Sequence, residues 1–162
     1  MIAIAIPRKE FGTRAEARTK EVERCLAMNP DYILFLDSDQ TMPDKSIELM
    51  KLLDVDIAVI DTPPHDTDLQ NFTRNPDGTI SHTTIACSLI RPSVFDRIEK
   101  PWFSSRYNFI QGQPLHGKYS YQKIDKYQDD NVGEDIYFVR KCVEAGVSIE
   151  VIPGLKCNHF KL

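Results

Sequence analysis

The sequence predicts an α/β fold in which helices flank a central sheet. Three apolar segments, 2–6, 32–36 and 56–60, are short enough to be buried strands, and segments with helical periodicity separate them. Strands that alternate with helices in this way are typical of sheets covered by helices. Charged residues follow each strand, and we therefore expect them at one edge of the sheet.

The first half of the chain is predicted to hold three strands and two helices. Their predicted bounds are strand 2–6, helix 12–28, strand 32–36, helix 44–53 and strand 56–60. The first helix begins at Gly12 or Thr13, and Pro43 suits the first turn of the second helix. Segment 2–36 therefore has the order and length of a strand, helix and strand crossover unit.

The second half is predicted to hold a hairpin, two further strands and two helices. Their predicted bounds are strands 69–74 and 79–84, strand 85–90, a short helix from residue 92, helix 133–145 and strand 148–152. Asn75-Pro76-Asp77-Gly78 is a strong turn signal within the hairpin, and Pro153-Gly154 predicts a turn after the last strand. Segment 104–130 has no periodicity, which is typical of a lid or binding loop, or of disorder.

Composition limits the class of protein. At 162 residues the chain is predicted to be one domain, and its 41% hydrophobic and 27% charged residues exclude general disorder. No apolar run reaches the roughly 18 residues that a membrane span needs. The four cysteines lack Cys-x-x-Cys spacing, so we expect buried, reduced thiols.

Charge is distributed unevenly along the chain. The net charge of −4 argues against broad binding of nucleic acid. Positive residues are nevertheless concentrated in the first segment, as Arg8, Lys9, Arg14, Arg18, Lys20 and Arg24. Such a cluster suits a phosphorylated small molecule, or it is a solvated helix face. No glycine-rich phosphate loop is present, so phosphates would have to be held by a metal ion and by side chains.

The most informative motif is Asp37-Ser38-Asp39, which directly follows the apolar strand 32–36. If strand geometry continues to Asp39, both carboxylates face the same side of the sheet. Two carboxylates this close repel each other unless a cation lies between them, and Mg²⁺ or Mn²⁺ prefers such oxygen ligands. The alternative interpretation of these residues is a polar turn before the next helix.

Four further residues are candidates for the same site. Arg18 lies on the apolar stripe of the first helix, so it either pairs with a buried carboxylate or points into a cleft at a phosphate. Glu134 and Asp135 begin a helix, where acids complement the helix dipole, but Asp135 also lies where a general base would be placed. A lone histidine such as His159 is more often structural than a metal ligand.

The order of these motifs resembles that of glycosyltransferases with the GT-A fold, and within them the inverting, family-2-like enzymes, including compact viral and phage forms. The motifs that carry the resemblance are Asp37-Ser38-Asp39, segment 87–95, Pro101-Trp102-Phe103, Gly133-Glu134-Asp135 and His159. The resemblance covers roughly residues 14–160. It implies one domain with a Rossmann-like GT-A fold, in which a mixed central sheet is flanked by helices and the N-terminal half is abbreviated. Residues 1–61 would be the nucleotide and metal half, and residues 62–162 the acceptor half with loop 104–130.

The resemblance also implies an activity and its residues. The activity is metal-dependent transfer of a sugar, with inversion, from a nucleotide-diphosphate sugar of UDP or GDP type to a hydroxyl acceptor. Asp135 would be the catalytic base, with Glu134 near the acceptor. The implied ligands of Mn²⁺ or Mg²⁺ are Asp37, Asp39 and His159. The implied nucleotide-binding residues are Pro7, Arg8, Arg18, Asp37 and Ser38.

The chain departs from this family in its N-terminal half. Such transferases usually have a further helix and strand between the first strand and the helix that carries Arg18. Their absence leaves three interpretations open: loose nucleotide specificity, weak binding, or a site completed by another subunit of a homo-oligomer. Segment 1–7 has neither a basic leader nor a cleavage site, which predicts a cytoplasmic protein, in the host cytoplasm if it is viral.

Two alternative functions compete with sugar transfer. One is a degenerate sugar-nucleotide-binding or structural protein. The other is a metal-dependent nucleotidyltransferase or phosphohydrolase, for which Asp61 is the only further carboxylate. The acceptor is left open, with nucleic acid the least favoured class. The aromatic residues of loop 104–130 are candidates either for acceptor contacts or for packing, namely Tyr107, Phe109, Tyr119, Tyr121 and Tyr127.

Overall fold

The computed structural model describes residues 1–8, 12–63, 69–104, 126–127 and 133–160. Within these residues it contains nine strands and four helices. In chain order they are β1 (Ile2–Ala5), α1 (Arg14–Leu26), β2 (Tyr32–Leu36), β3 (Gln40–Thr41), α2 (Ser46–Leu52), β4 (Ile57–Asp61), β5 (Phe72–Arg74), β6 (Ile80–Thr83), β7 (Cys87–Ile90), α3 (Val94–Arg97), α4 (Glu134–Glu144), β8 (Ile149–Lys156) and β9 (Asn158–His159).

A mixed five-stranded sheet forms the centre of the fold, with the order β1-β2-β7-β4-β8. β1 pairs with β2 and β4 pairs with β8 in parallel, whereas β7 is antiparallel to both of its neighbours. The predicted α/β class with a mixed sheet is therefore confirmed. Because β1, β2, β4 and β8 run in one direction, their carboxyl ends meet at one edge of the sheet, together with the amino end of β7.

The sheet is covered on both faces. Side chains that alternate along each strand divide between two apolar clusters, as expected for strands buried on both sides. One cluster joins the sheet to α1, α3 and α4 through residues such as Val22, Phe95 and Phe138. The other joins the opposite face to α2 through Met50. The fold thus has three layers, with the sheet in the middle.

Stacked aromatic rings fill the layer between the sheet and α4. Phe138 stacks on Phe103 and on Phe95, with ring centroids 4.8 Å and 5.7 Å apart. Phe103 in turn meets Phe35 of β2 edge to face at 6.0 Å, and Trp102 meets Phe95 at 5.1 Å. The motif Pro101-Trp102-Phe103 therefore supplies core residues that fix the start of α4 relative to β2.

Two small sheets extend the central one. β5 and β6 form the predicted hairpin, and the amide of Gly78, at φ 87°, donates to the carbonyl of Asn75 within its turn. β3 and β9 form a short antiparallel pair in which Gln40 lies opposite His159. This second pair brings the last described strand back to the end of β2.

Several predicted element bounds were wrong. Strand β5 begins at Phe72 rather than at residue 69, and β7 begins at Cys87 rather than at residue 85. Helix α2 begins at Ser46 rather than at residue 44, because Lys45 takes a left-handed conformation at φ 61°. Pro153 and Gly154 do not end the last strand but lie inside β8, where the register with β4 shifts between Val59 and Asp61. Gly154 permits this irregularity because its φ of 73° is accessible to glycine.

The remaining expectations concern cysteines, membranes and the long loop. All four cysteines are buried free thiols, as predicted. Among the described helices, none is long and apolar enough to cross a membrane. Of loop 104–130, only Ser104, Lys126 and Tyr127 belong to the described residues, so the expectation of a lid or binding loop lies outside them.

Helix α1 begins with a capping box that we expect to contribute to stability. The hydroxyl of Thr13 accepts a hydrogen bond from the amide of Glu16, and the carboxylate of Glu16 accepts one from the amide of Thr13. Replacing Thr13 by alanine removes the first bond and should lower the free energy of unfolding by about 1 kcal/mol. Urea denaturation measures this loss. Thr13→Ser keeps the hydroxyl and should behave like the parent, whereas an equal loss in both variants would contradict the role of the cap.

Candidate functional site

A cavity of about 530 Å³ opens at the carboxyl edge of the sheet. Its walls come from residues that follow β1, β2, β4 and β8, from those that precede β5 and β7, and from the first turns of α1 and α4. They are Pro7, Arg8, Gly12, Arg14, Ala17, Arg18, Asp37, Ser38, Asp39, Gln40, Thr62, Asn71, Thr84, Ala86, Asp135 and His159. This volume is within the range of small-molecule sites, about 300–1,000 Å³. The edge of the sheet that the sequence predicted for polar residues is therefore the edge that carries the cavity.

Asp37, Ser38 and Asp39 do not continue strand β2. The strand ends at Leu36, and the amide of Gln40 donates to the carbonyl of Asp37 at 3.0 Å, which closes a turn. Strand geometry therefore does not continue to Asp39, and these residues form the turn that was their alternative interpretation. The turn is anchored where the amide of Asp37 donates to the carbonyl of Ala86, at 2.9 Å. Both carboxylates nevertheless belong to residues that line the cavity.

His159 reaches this turn through the pairing of β9 with β3. Beyond the strand pair, the amide of Phe160 donates to the carbonyl of Asp39 at 3.0 Å. Asp37, Asp39 and His159, the predicted metal ligands, thus line one cavity. Within the described residues, however, no three His, Cys, Asp or Glu side chains are grouped so as to hold a metal ion by themselves.

Arg18 is the centre of a buried ionic network. Its side chain is 1% exposed and lies over the ring of Phe35, with the guanidinium carbon 5.6 Å from the ring centroid. Nε donates to Glu134 at 3.2 Å, and Nη2 lies 3.2 Å from Oδ1 of Asp37. Nη1 is buried and has no hydrogen-bond partner among the described residues. The first alternative predicted for Arg18, pairing with a buried carboxylate, is thus confirmed, and the residue also lines the cavity.

The network keeps Arg18 charged in spite of its burial. Burial lowers the pKa of the guanidinium, but the nearby charges of Asp37, Glu134 and Asp135 outweigh burial and raise the pKa above its ordinary value. Arg14, one turn earlier on α1, adds a second positive charge 3.8 Å from Glu134. Arg8 also lines the cavity. We term Arg8, Arg14 and Arg18 the cationic wall, and the amino end of α1 adds partial positive charge to it.

Asp135 and Glu134 have different environments although they are adjacent. Glu134 is 7% exposed, is bonded to Arg18 and is not among the lining residues. Asp135 is half-buried and lines the cavity, and its Oδ1 accepts a hydrogen bond from the amide of Ile136 at 2.8 Å. Burial and the charge of Glu134 raise the pKa of Asp135, while Arg18 opposes the shift. A carboxylate with a raised pKa at a cavity wall is suited to proton transfer.

Several lining residues were missed at the level of sequence. Gln40, Thr62, Asn71 and Thr84 are uncharged and match no motif, so only the topology brings them together. Thr62 had one available signal, because it directly follows a parallel strand at the edge where ligands bind.

Asp61, which the sequence placed at the same edge, is not among the lining residues. It is 5% exposed, and its carboxylate accepts a hydrogen bond from the amide of Asn71 at 3.0 Å. In this arrangement it holds the start of the hairpin, and it adds no further acid to the cavity wall.

Some predicted residues fall outside the described part of the chain. They are the loop aromatics Tyr107, Phe109, Tyr119 and Tyr121. Tyr127 is described, and its ring meets that of Tyr137 in α4 edge to face at 6.1 Å. This contact corresponds to the packing interpretation of the loop aromatics.

These features define a mixed α/β protein with a polar, charged cavity at the carboxyl edge of its sheet. No protein-family model matches the sequence, and no curated protein matches it. Among solved structures, the "Crystal Structure of A197 from STIV" is similar, with a TM-score of 0.61. The match covers 93% of this chain and 69% of that one, at 16% sequence identity. At this identity the likeness shows a shared fold and carries no information about activity.

Proposed function

We propose that this protein is a metal-dependent glycosyltransferase of GT-A type that moves a sugar from a nucleoside diphosphate to a hydroxyl acceptor. The observation that supports this best is the composition of the cavity. Of the nine residues assigned to the site from the sequence, eight line it, and the ninth, Glu134, is bonded to one of them, Arg18. Residues from both ends of the chain would have little reason to converge in this pattern without a shared ligand.

The cationic wall suits the diphosphate. Arg8, Arg14 and Arg18 all line the cavity, and the latter two lie in the first turns of a 13-residue helix. Guanidinium groups bind phosphate oxygens with two parallel hydrogen bonds, and helix amino ends favour anions. The buried Nη1 of Arg18 is a donor without a partner among the described residues, and a phosphate oxygen would satisfy it.

The residues of the turn and of β9 fit a divalent metal ion that arrives with the donor. Asp37, Asp39 and His159 would hold it, although the described residues alone do not form a three-ligand group. Magnesium is usually held by one or two carboxylates together with substrate phosphates, so a complete protein cage is not required. When bound, Mg²⁺ or Mn²⁺ would stabilise the negative charge of the leaving diphosphate.

Asp135 provides the base for the acceptor. Its carboxylate takes the proton of the acceptor hydroxyl, whose oxygen forms a bond to the anomeric carbon as the bond from that carbon to the diphosphate breaks. A single displacement of this kind inverts the configuration at the anomeric carbon. Arg18 assists because its fixed positive charge would stabilise the negative charge that the diphosphate gains. Glu134 holds Arg18 in that position.

Isothermal titration calorimetry with UDP and GDP, with and without Mn²⁺, tests this proposal. We expect one of the two nucleotides to bind in a metal-dependent manner. Asp39→Asn should weaken that binding at least about tenfold, since even residues behind metal ligands commonly contribute 10- to 100-fold. Asp44→Asn is the matched control, because Asp44 is exposed and does not line the cavity. No binding of either nucleotide with any divalent metal would refute the proposal.

A further inference from the structure

The first strand of the chain is an edge strand of the central sheet. β1 pairs with β2 on one side, and among the described strands none pairs with its other side. Its sequence, Ile2-Ala3-Ile4-Ala5, is entirely apolar, and its pairing with β2 contains no bulge. Edge strands that avoid association usually carry a charge, a proline or a bulge. β1 has none of these features, so it is suited to pairing with a further strand.

The backbone groups of Ile4 point away from β2. The carbonyl of Met1 accepts a hydrogen bond from the amide of Asp31, directly before β2, so the odd-numbered positions of β1 face β2 and the even-numbered ones face outwards. Accordingly, Nη2 of Arg24 reaches the carbonyl of Ile4 from the outer side and donates to it at 2.6 Å. A carbonyl oxygen has two lone pairs, so this bond leaves a position for a second donor.

Exposed apolar side chains are concentrated at the same edge. Ile4 is 49% exposed, Ile6 is 38% exposed, and Met28, just after α1, is 45% exposed. Arg24 connects two of them, since its guanidinium contacts both the carbonyl of Ile4 and the sulfur of Met28. The side chain of Ile4 lies on the face of the sheet that α2 covers, but α2 packs mainly on β4 and β7. Burial of this edge would therefore remove a group of apolar side chains from water.

A second copy of the same strand matches this edge in register. With a two-fold axis through Ile4, perpendicular to the sheet, two copies of β1 run antiparallel, and the amide of each Ile4 donates to the carbonyl of the partner's Ile4. This register also places Ile2 opposite the partner's Ile6, so isoleucine lies opposite isoleucine at every outward position. An axis through Ala5 would instead place Ile2 opposite the charged Arg8.

The helices and cavities are compatible with this arrangement. α1 packs on β1, and the two-fold axis places both copies of α1 on the same face of the joined sheet with antiparallel axes. The positive amino end of each helix then lies towards the negative carboxyl end of the other, which is favourable. Each cavity lies at the carboxyl edge of its own sheet, so antiparallel pairing directs the two cavities to opposite edges.

We propose that this protein forms a two-fold symmetric dimer in which β1 pairs with β1 of a second copy and the two five-stranded sheets become one continuous sheet. The contact consists of the outer side of β1, Ile6 and Met28. It does not depend on the proposed sugar transfer, because none of the outward isoleucines, and not Met28, lines the cavity at the carboxyl edge.

Sedimentation equilibrium measures the association directly. Because the interface is small, we expect a monomer–dimer equilibrium with a Kd on the order of 10 μM. Ile4→Lys places two like charges opposite each other at the axis and should weaken association at least about tenfold. Leu52→Lys is the matched control, because Leu52 is a 79% exposed residue of α2, and it should associate like the parent. A parent that stays monomeric at about 1 mM, or equal association of the two lysine variants, overturns the inference.

Hydrogen exchange of the parent tests the register without a substitution. The amide of Ile4 faces outwards, so it should exchange at least about tenfold more slowly at concentrations where the dimer predominates than in the monomer. The amide of Ala5 faces β2 in both states and serves as the internal control. Exchange of the Ile4 amide that does not depend on protein concentration overturns the inference.

Discussion

Replacing Asp135 by asparagine is expected to lower the turnover number for sugar transfer by about 10²- to 10⁴-fold, the usual contribution of a general base. The amide has nearly the same shape as the carboxylate but cannot take the proton of the acceptor hydroxyl. Because Asp135 is proposed to act on the acceptor and not to bind the donor, the affinity for the nucleotide should change little. The turnover number and the calorimetric affinity, measured on the same preparation, distinguish a lost base from a lost binding site.

The raised pKa of Asp135 adds a pH dependence and a stability effect. A base must be ionised to act, so the rate of the parent enzyme should fall as the pH drops through a value above that of an ordinary aspartate. A raised pKa also means that ionisation of Asp135 opposes folding. The protonated carboxyl group contributes to stability at low pH, and this contribution is lost as the pH rises through the folded-state pKa. At neutral pH, Asp135→Asn should therefore be at least as stable as the parent.

Two measurements check this prediction. The acid limb of the pH–rate profile gives the pKa of the catalytic base, and urea denaturation at pH 7 gives the free energy of unfolding. Asp96→Asn, at an exposed position in α3, serves as the control for removal of one aspartate charge. A turnover number within about threefold of the parent would be inconsistent with Asp135 as a base that contributes the usual factor.

Replacing Arg18 by methionine should destabilise the fold by about 3–5 kcal/mol, the range found when one partner of a buried ion pair is removed. Methionine retains an unbranched side chain over the ring of Phe35 but leaves Glu134 buried without its guanidinium. Asp37 loses its charge partner at the same time. The cost comes from the uncompensated carboxylates more than from lost packing, since the replacement is apolar and of similar length.

A second substitution identifies the source of that cost. Glu134→Gln in the Arg18→Met background removes the buried charge and should recover part of the lost free energy of unfolding. Arg14→Met is the matched control on the same helix, because the side chain of Arg14 is mostly exposed and its pairing with Glu134 should contribute less than about 1 kcal/mol. If Arg18→Met costs no more than Arg14→Met in urea denaturation, the buried network does not stabilise this fold.

Local sequence patterns predicted the elements that position the site but not all of its geometry. The helix with Arg18 on its apolar stripe and the strand that ends before Asp37 both follow from periodicity, since short-range packing decides them. The choice between strand and turn at Asp37 was left open, because the bond from Gln40 to the carbonyl of Asp37 competes with extension of the strand and no residue type marks the outcome. Pairing of β9 with β3 depends on residues about 118 positions apart, which no local window contains.

The uncharged polar residues that line the cavity, Gln40, Thr62, Asn71 and Thr84, show a second limit of sequence reasoning. Threonine, asparagine and glutamine are common on any surface, so their chemistry singles out no site. Thr62 and Thr84 come within hydrogen-bonding distance only because the hairpin returns to the end of β4. Charged residues such as Arg18 are rare on apolar stripes, and this rarity made them visible in the sequence.

The place of β7 in the sheet has a consequence for biosynthesis. β2 and β4, the strands that lead to Asp37 and Thr62, are not neighbours but are joined only through β7. A nascent chain that has exposed both strands at the ribosome still lacks the strand that holds them side by side, and it also lacks the helix of Asp135 and the strand of His159. Contacts this distant in sequence form slowly, because much of the chain must be ordered before they stabilise it. The cavity can therefore be completed only after β7, α4 and β9 have all been synthesised.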